Sequence, residues 1–265
     1  MSESGPGSAA GPDGHASIPE GLVAAVVSLV NTGPVLLGAY TVAELVAVDA
    51  VVDFLETRPS DEVLAEAVRS LAARQLLVTG GARGSDGSGA AAGKAGKTDG
   101  QQVQVRGDLG IAVAFQQRAR VVLDARVTGT EPGEPWRVLL LPQPERICLQ
   151  FRIDALGIHQ VGLYQLAEAL SALADWLPRG SRAGSGDAVD ADRLLAEADR
   201  AALLTVTRYT AKGSAETADD TTDLVLARQG DRLHVLTRDQ SDRSKLVPHP
   251  QNGKEVPDLL TDLLS

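Results

Sequence analysis

The chain has 265 residues, 43% of them hydrophobic, and a formal net charge of −10, which allows a sizeable core in one large domain or two small ones. That charge repels nucleic-acid phosphates unless a basic face is segregated, and eight aromatic residues are few for an enzyme pocket or a base-stacking platform. The single cysteine, Cys148, excludes an internal disulfide and a thiolate metal cluster, and within an apolar alternation it reads as a small buried hydrophobe.

Residues 1–17 are rich in Gly, Ser and Pro, contain no Lys or Arg, and read as a disordered tail without the positive charge of a secretory signal. The apolar stretch from Leu22 to Tyr40 approaches membrane-spanning length, but Asn31-Thr32-Gly33-Pro34 interrupts it and nothing basic flanks it. It reads as two short buried segments joined by a turn, and the protein is expected to be cytoplasmic. Thr41 with Glu44 three residues later forms a capping-box pattern that opens a helix over 41–56. Ser60 caps a second helix over 60–77, with Val63, Leu64, Ala67, Val68, Leu71 and Leu76 as its apolar stripe and Glu62, Glu66, Arg69 and Arg74 facing outward.

The segment 80–99, nearly all Gly, Ala, Ser, Lys and Asp, reads as a flexible insert. Within it, AAGKAGKT at 91–98 satisfies a permissive P-loop pattern. With no buried strand before it and no amphipathic helix after it, no phosphate site is expected. Val103 and Val105 predict a short strand and Leu109 to Arg118 a helix. Strands follow at Ala119 to Val127, Trp136 to Leu141 and Arg146 to Ile153. In the last of these, Ile147, Leu149, Phe151 and Ile153 point one way. The arginines from Arg118 to Arg152 read mostly as the solvated side of this sheet. Leu163 to Leu177 predicts an amphipathic helix that closes the first half, 18–178, and residues 179–186 read as a short disordered link.

The second half, 187–265, repeats the plan. A short helix leads to strands at Leu204 to Tyr209, Asp223 to Arg228, Arg232 to Arg238 and Lys245 to Val247, then to a helix from Glu255 to Leu264. RVLLLPQPERICLQ (137–150) and DLVLARQGDRLHVL (223–236) share one rhythm: an apolar strand, a turn with an acidic–Arg pair, and another apolar strand. The expected fold is therefore α+β, with a central antiparallel sheet made from two quasi-two-fold related strand–strand–helix halves and flanked by helices.

Chemistry-bearing residues are sparse. His15, His159, His234 and His249 are scattered without ligand spacing, with His234 expected on the solvent side of a strand, so no metal site is nominated. Asp219, Asp220 and Asp223 read as a solvated loop entering a strand. No nucleophile elbow and no strand-linked dinucleotide fingerprint occurs. No catalytic or cofactor-binding residue is nominated, and the protein is expected not to be an enzyme. The paired helices before the insert also fit a winged-helix transcriptional regulator with the insert as its wing, but Asp61, Glu62 and Glu66 stand where groove contacts would be made.

Three stretches, SLAARQLL (70–77) leading to GDLGI (107–111), the first-half strands and helix up to Trp176-Leu177-Pro178, and Leu246-Val247-Pro248 before the last Leu-rich helix, together resemble the EspG family. These are cytosolic chaperones of type VII secretion in actinobacteria. The resemblance implies a central antiparallel sheet with quasi-two-fold halves and flanking helical bundles. It implies a binding activity: holding a small helical secreted partner of the PE–PPE kind by covering its apolar tip. It places partner contacts on the sheet face and on the loop from Thr130 to Trp136, where Glu131, Glu134 and Trp136 are the candidate residues. The short helical region at 187–200 and the Gly/Ala insert depart from the family pattern.

Overall fold

The computed structural model describes residues 18–48, 59–80, 102–182, 190–212, 215–239, 241–242, 244–249 and 255–264. The expected tail, most of the insert with its P-loop-like stretch, and the second part of the 41–56 helix lie outside the described residues. The fold is α+β. Its first part comprises α1 (Glu20–Val30), β1 (Val35–Thr41), α2 (Val42–Ala47), α3 (Asp61–Ala73), β2 (Leu77–Gly80), β3 (Gln102–Val105) and α4 (Gly107–Arg118). Then come β4 (Val121–Val127), β5 (Arg137–Pro142), β6 (Ile147–Ile153), β7 (Ile158–Gln165) and α5 (Leu166–Trp176). The remainder is β8 (Ser181–Arg182), α6 (Ala191–Glu197), β9 (Arg200–Lys212), β10 (Ala215–Gln229), β11 (Arg232–Arg238), β12 (Leu246–Pro248) and α7 (Val256–Leu264).

One sheet runs through both halves in the order β1-β7-β6-β5-β4-β9-β10-β11-β12, every neighbour antiparallel, with the two-residue β8 parallel to β11 at one edge. From the central β4–β9 pair, chain order reads outward as β4 to β7 on one side and β9 to β12 on the other, with β1 added beyond β7, and each half ends in a helix. A second, two-stranded sheet pairs β2 with β3.

The alternation in β6 divides the core. Ile147, Leu149, Phe151 and Ile153 face a cluster capped by α1 to α4, whose centre includes Tyr40, Leu71, Leu109 and Phe115. Cys148 on the opposite face joins a second cluster with Leu173 of α5 and Leu259 and Leu260 of α7. A small third cluster seats Leu194 of α6 on Val225, Ala227 and Leu236. Thr41 forms the expected capping box with Glu44, and Ser60 caps α3.

Several expectations change. The helix predicted from Leu163 begins only at Leu166, because residues 158–165 form β7, bonded to β6 on one side and β1 on the other. Leu163 and Tyr164 fall in opposite clusters, which is strand periodicity hidden beside a Leu-rich helix. The first half thus places four consecutive strands, β4 to β7, before α5. Ser181 and Arg182, expected in a disordered link, form β8, and Ser181 donates to the Asp231 carbonyl through its N–H (2.7 Å) and hydroxyl (2.8 Å). The run at 219–223 lies inside the long strand β10 and is not a loop. On α3, Ala67 and Leu71 are buried while Val63 and Val68 are exposed, so its buried stripe is narrower than predicted. His234 is half-buried on the α6 side of β11 and is not a solvent-face residue.

Candidate partner-binding surface

Pairing registers show where the cover on the sheet stops. On the α5/α7 side, one cross-strand row reads Ala39, Gln160, Arg152, Val138, Ala125, Leu204, Leu224. Every residue from Val138 to Leu224 is buried; Arg152, Gln160 and Ala39 are exposed. In the row above, Val127, Ala202, Leu226 and Val235 are buried, while Trp136 is 38% exposed and Thr41 is exposed. The covering layer therefore ends at β5, and the upper part of β6, β7 and β1 is open on this side. Leu36 (73% exposed), which pairs with Gly162 of β7, and Leu156 (87%) in the β6–β7 turn border the open area.

The loop expected to contact partners is held in place. Glu134 accepts from the Glu131 N–H (3.1 Å) and from Arg200 (3.0 Å), and Arg200 also donates to the Trp176 carbonyl (2.9 Å). These bonds tie the β4–β5 loop to the start of β9 and the end of α5. The Glu131 hydrogen bond, ahead of the Arg200 contact, keeps the Glu134 carboxyl below its usual range. Gly129, at φ +70, lies where a Cβ would sit 2.7 Å from the Asp199 carbonyl, so the loop's close approach to the bend between α6 and β9 requires glycine. Trp136 donates through Nε1 to the Asp154 carbonyl (3.0 Å), and Asp154 in turn accepts from the N–H groups of Leu156 and Ile158 (2.9 Å each). The indole and the turn carrying Leu156 form one braced unit. Of the three nominated residues, Trp136 lies on the open face, Glu131 is exposed beside it, and Glu134 is a brace within the loop. Leu36, Arg152, Leu156 and Gln160 were not nominated; only the strand β7, once recognised, places them on or at the border of the same open face as Trp136.

No family model and no curated protein matches the chain.

The buried polar groups are structural in geometry. Arg137 grips both oxygens of Asp124 (2.9 and 2.8 Å), and Arg126 adds two bonds to the same carboxylate. Arg137 is thus inside the fold and not on the solvated side expected of the arginine run. His159 is buried next to it, with Nδ1 3.0 Å from the Gly157 carbonyl, a partner that requires the hydrogen on Nδ1. Burial, with Arg137 nearby, holds the imidazole below its usual pKa. Burial pushes the Cys148 thiol up to about 12, which removes it as a nucleophile near neutrality. Among the described residues no group of three His, Cys, Asp or Glu side chains is placed to hold a metal. A polar trough at the far edge, lined by Asp220, Asp223, Arg238, Asp239 and His249 among others, has a volume of about 1040 Å³. Its carboxylates are engaged: Asp223 by Thr205 and Arg238, Asp239 by the backbone of Ser241 and Asp242. No described helix is long and apolar enough to cross a membrane.

Proposed function

We propose that this chain is a non-enzymatic, cytoplasmic binding protein that holds a small helical partner against the open face of β5, β6, β7 and β1, in the manner of a secretion-associated chaperone or adaptor. The observation that carries the reading is the stop of the covering layer at β5. It leaves Trp136, Leu156 and Leu36 exposed on one side of an otherwise well-packed sheet. Large apolar side chains grouped on one exposed area are the kind of surface partners bury, and a half-buried Trp braced by a hydrogen bond is a low-entropy anchor. The resemblance to the EspG family supplies the class of partner, a secreted helical pair of the PE–PPE kind. The test is co-expression with the products of neighbouring genes. A small helical protein is expected to co-purify, and Trp136→Ala is expected to cut its recovery about tenfold or more while the fold stays intact. No co-purifying protein, together with tight and salt-sensitive binding to duplex DNA, would sink the proposal.

That second outcome belongs to the winged-helix reading, which one feature favours: α3 runs directly into the β2–β3 hairpin, the order of recognition helix and wing. Against it, the basic side chains of the α3 region are already engaged. Arg69 pairs with Glu66, and Arg74 pairs with Glu44 and donates to the Ala39 carbonyl. Asp61 and Glu62 stand at the helix start, where a recognition helix meets base edges.

A further inference from the structure

The open face carries Arg152, and the loop that ends at Trp136 carries Glu131, charges of opposite sign that no described residue engages. Arg152, mid-row between Gln160 and Val138, makes no hydrogen bond or ion pair with any described residue. The Glu131 carboxylate, in the loop that ends at Trp136, likewise has no partner among the described residues, although its backbone N–H is bonded to Glu134. Elsewhere on this sheet guanidinium and carboxylate groups find each other, as in Arg137–Asp124, Arg200–Glu134 and Arg238–Asp223. An isologous interface needs one patch to be its own complement, with group i meeting j and j meeting i across a two-fold axis. Exposed apolar anchors, together with an Arg152 and a Glu131 that are unpartnered among the described residues, meet that requirement.

We infer that, when no partner occupies it, the open face pairs with the same face of a second copy, Arg152 of each chain meeting Glu131 of the other around Trp136 and Leu156. This inference rests on the reading of that face as the working surface. It names face-to-face packing and not strand addition, because the outer edge of β1 is closed by the chain's own side chains. Tyr40 Oη donates to the Leu37 carbonyl (2.7 Å), Arg74 to the Ala39 carbonyl (3.4 Å), and the Thr41 N–H to Glu44 (2.9 Å).

Sedimentation equilibrium of the purified full chain across a concentration series is the test. A monomer–dimer equilibrium is expected. Arg152→Glu and Glu131→Arg, each alone, are expected to weaken it about tenfold or more through like-charge contact, and the double exchange to restore it. Both residues are exposed, so unchanged thermal melting of each variant confirms that the fold survives. A chain that stays monomeric throughout, or a dimer that neither reversal weakens, overturns the inference. Either result leaves the heterologous-partner reading standing, since that is judged by co-purification and the Trp136 variant.

Discussion

Single residues divide into those that hold the sheet and those left over for a partner, and pH separates the two. His159 is neutral in the fold because burial lowers its pKa, and the Arg137 guanidinium adds to that shift. The unfolded chain therefore binds a proton more readily. The stability that neutral His159 contributes is present above its ordinary value of 6.5 and is lost as pH falls through the lower folded value. The urea midpoint of the native protein should drop more steeply on acidification below 6.5 than that of His159→Asn; parallel curves would show that His159 does not carry the effect. At this scale the sequence was legible where periodicity spoke, as at Cys148 among Ile147 and Leu149. It was silent on Arg137, because a strand pattern does not say which arginine meets a buried carboxylate thirteen residues before it. Trp136 was readable as a candidate because it opens a strand after a Gly/Pro loop. Arg152 was not, because an exposed arginine on a strand looks the same whether a helix covers its neighbour or stops short of it.

At the scale of elements, the edge strand β1 depends on α3. Glu44, buried at the start of α2, accepts from the Thr41 N–H, from Ser70 (2.8 Å) and from Arg74 (3.0 Å). Burial alone would raise its pKa; the bonds from Thr41, Ser70 and Arg74 outweigh burial and keep it low. The Arg74 guanidinium also lies 5.1 Å from the Tyr40 ring centroid. Arg74→Ala should cost about 1–2 kcal/mol, discounted for the partial exposure of the arginine, since Glu44 retains its two other donors. It should also free the Ala39 carbonyl on the sheet edge and raise aggregation on mild heating, read by light scattering alongside a urea melt. An unchanged melt with unchanged scattering would refute the latch. Elements with their own signals were legible: the Thr41 and Ser60 caps, the helix predicted at 109–118, and the hairpins β5–β6 and β10–β11. β7 was not, because its apolar residues run without a break into the Leu-rich α5. β10 proved longer than predicted because residues 215–222, rich in Thr and Asp, carry no apolar alternation to announce a strand, and their order comes from backbone pairing with β9.

For the whole molecule, the order outward from β4 and β9 joins the two halves in one sheet, and the helices distribute unequally over its faces. α1 to α4 cover the first half on one side; α5 and α7 cover the central and second-half strands on the other. That inequality leaves β6, β7 and β1 open beside Trp136, and the proposed function rests on it. The most direct measurement is site-specific photo-crosslinking in cells, with benzoylphenylalanine placed at Gln160 on the open face or at Val63, exposed on α3. A discrete protein adduct is expected from position 160 and none from position 63. An adduct from position 63 alone would contradict the proposed function and move the working surface to the helical module.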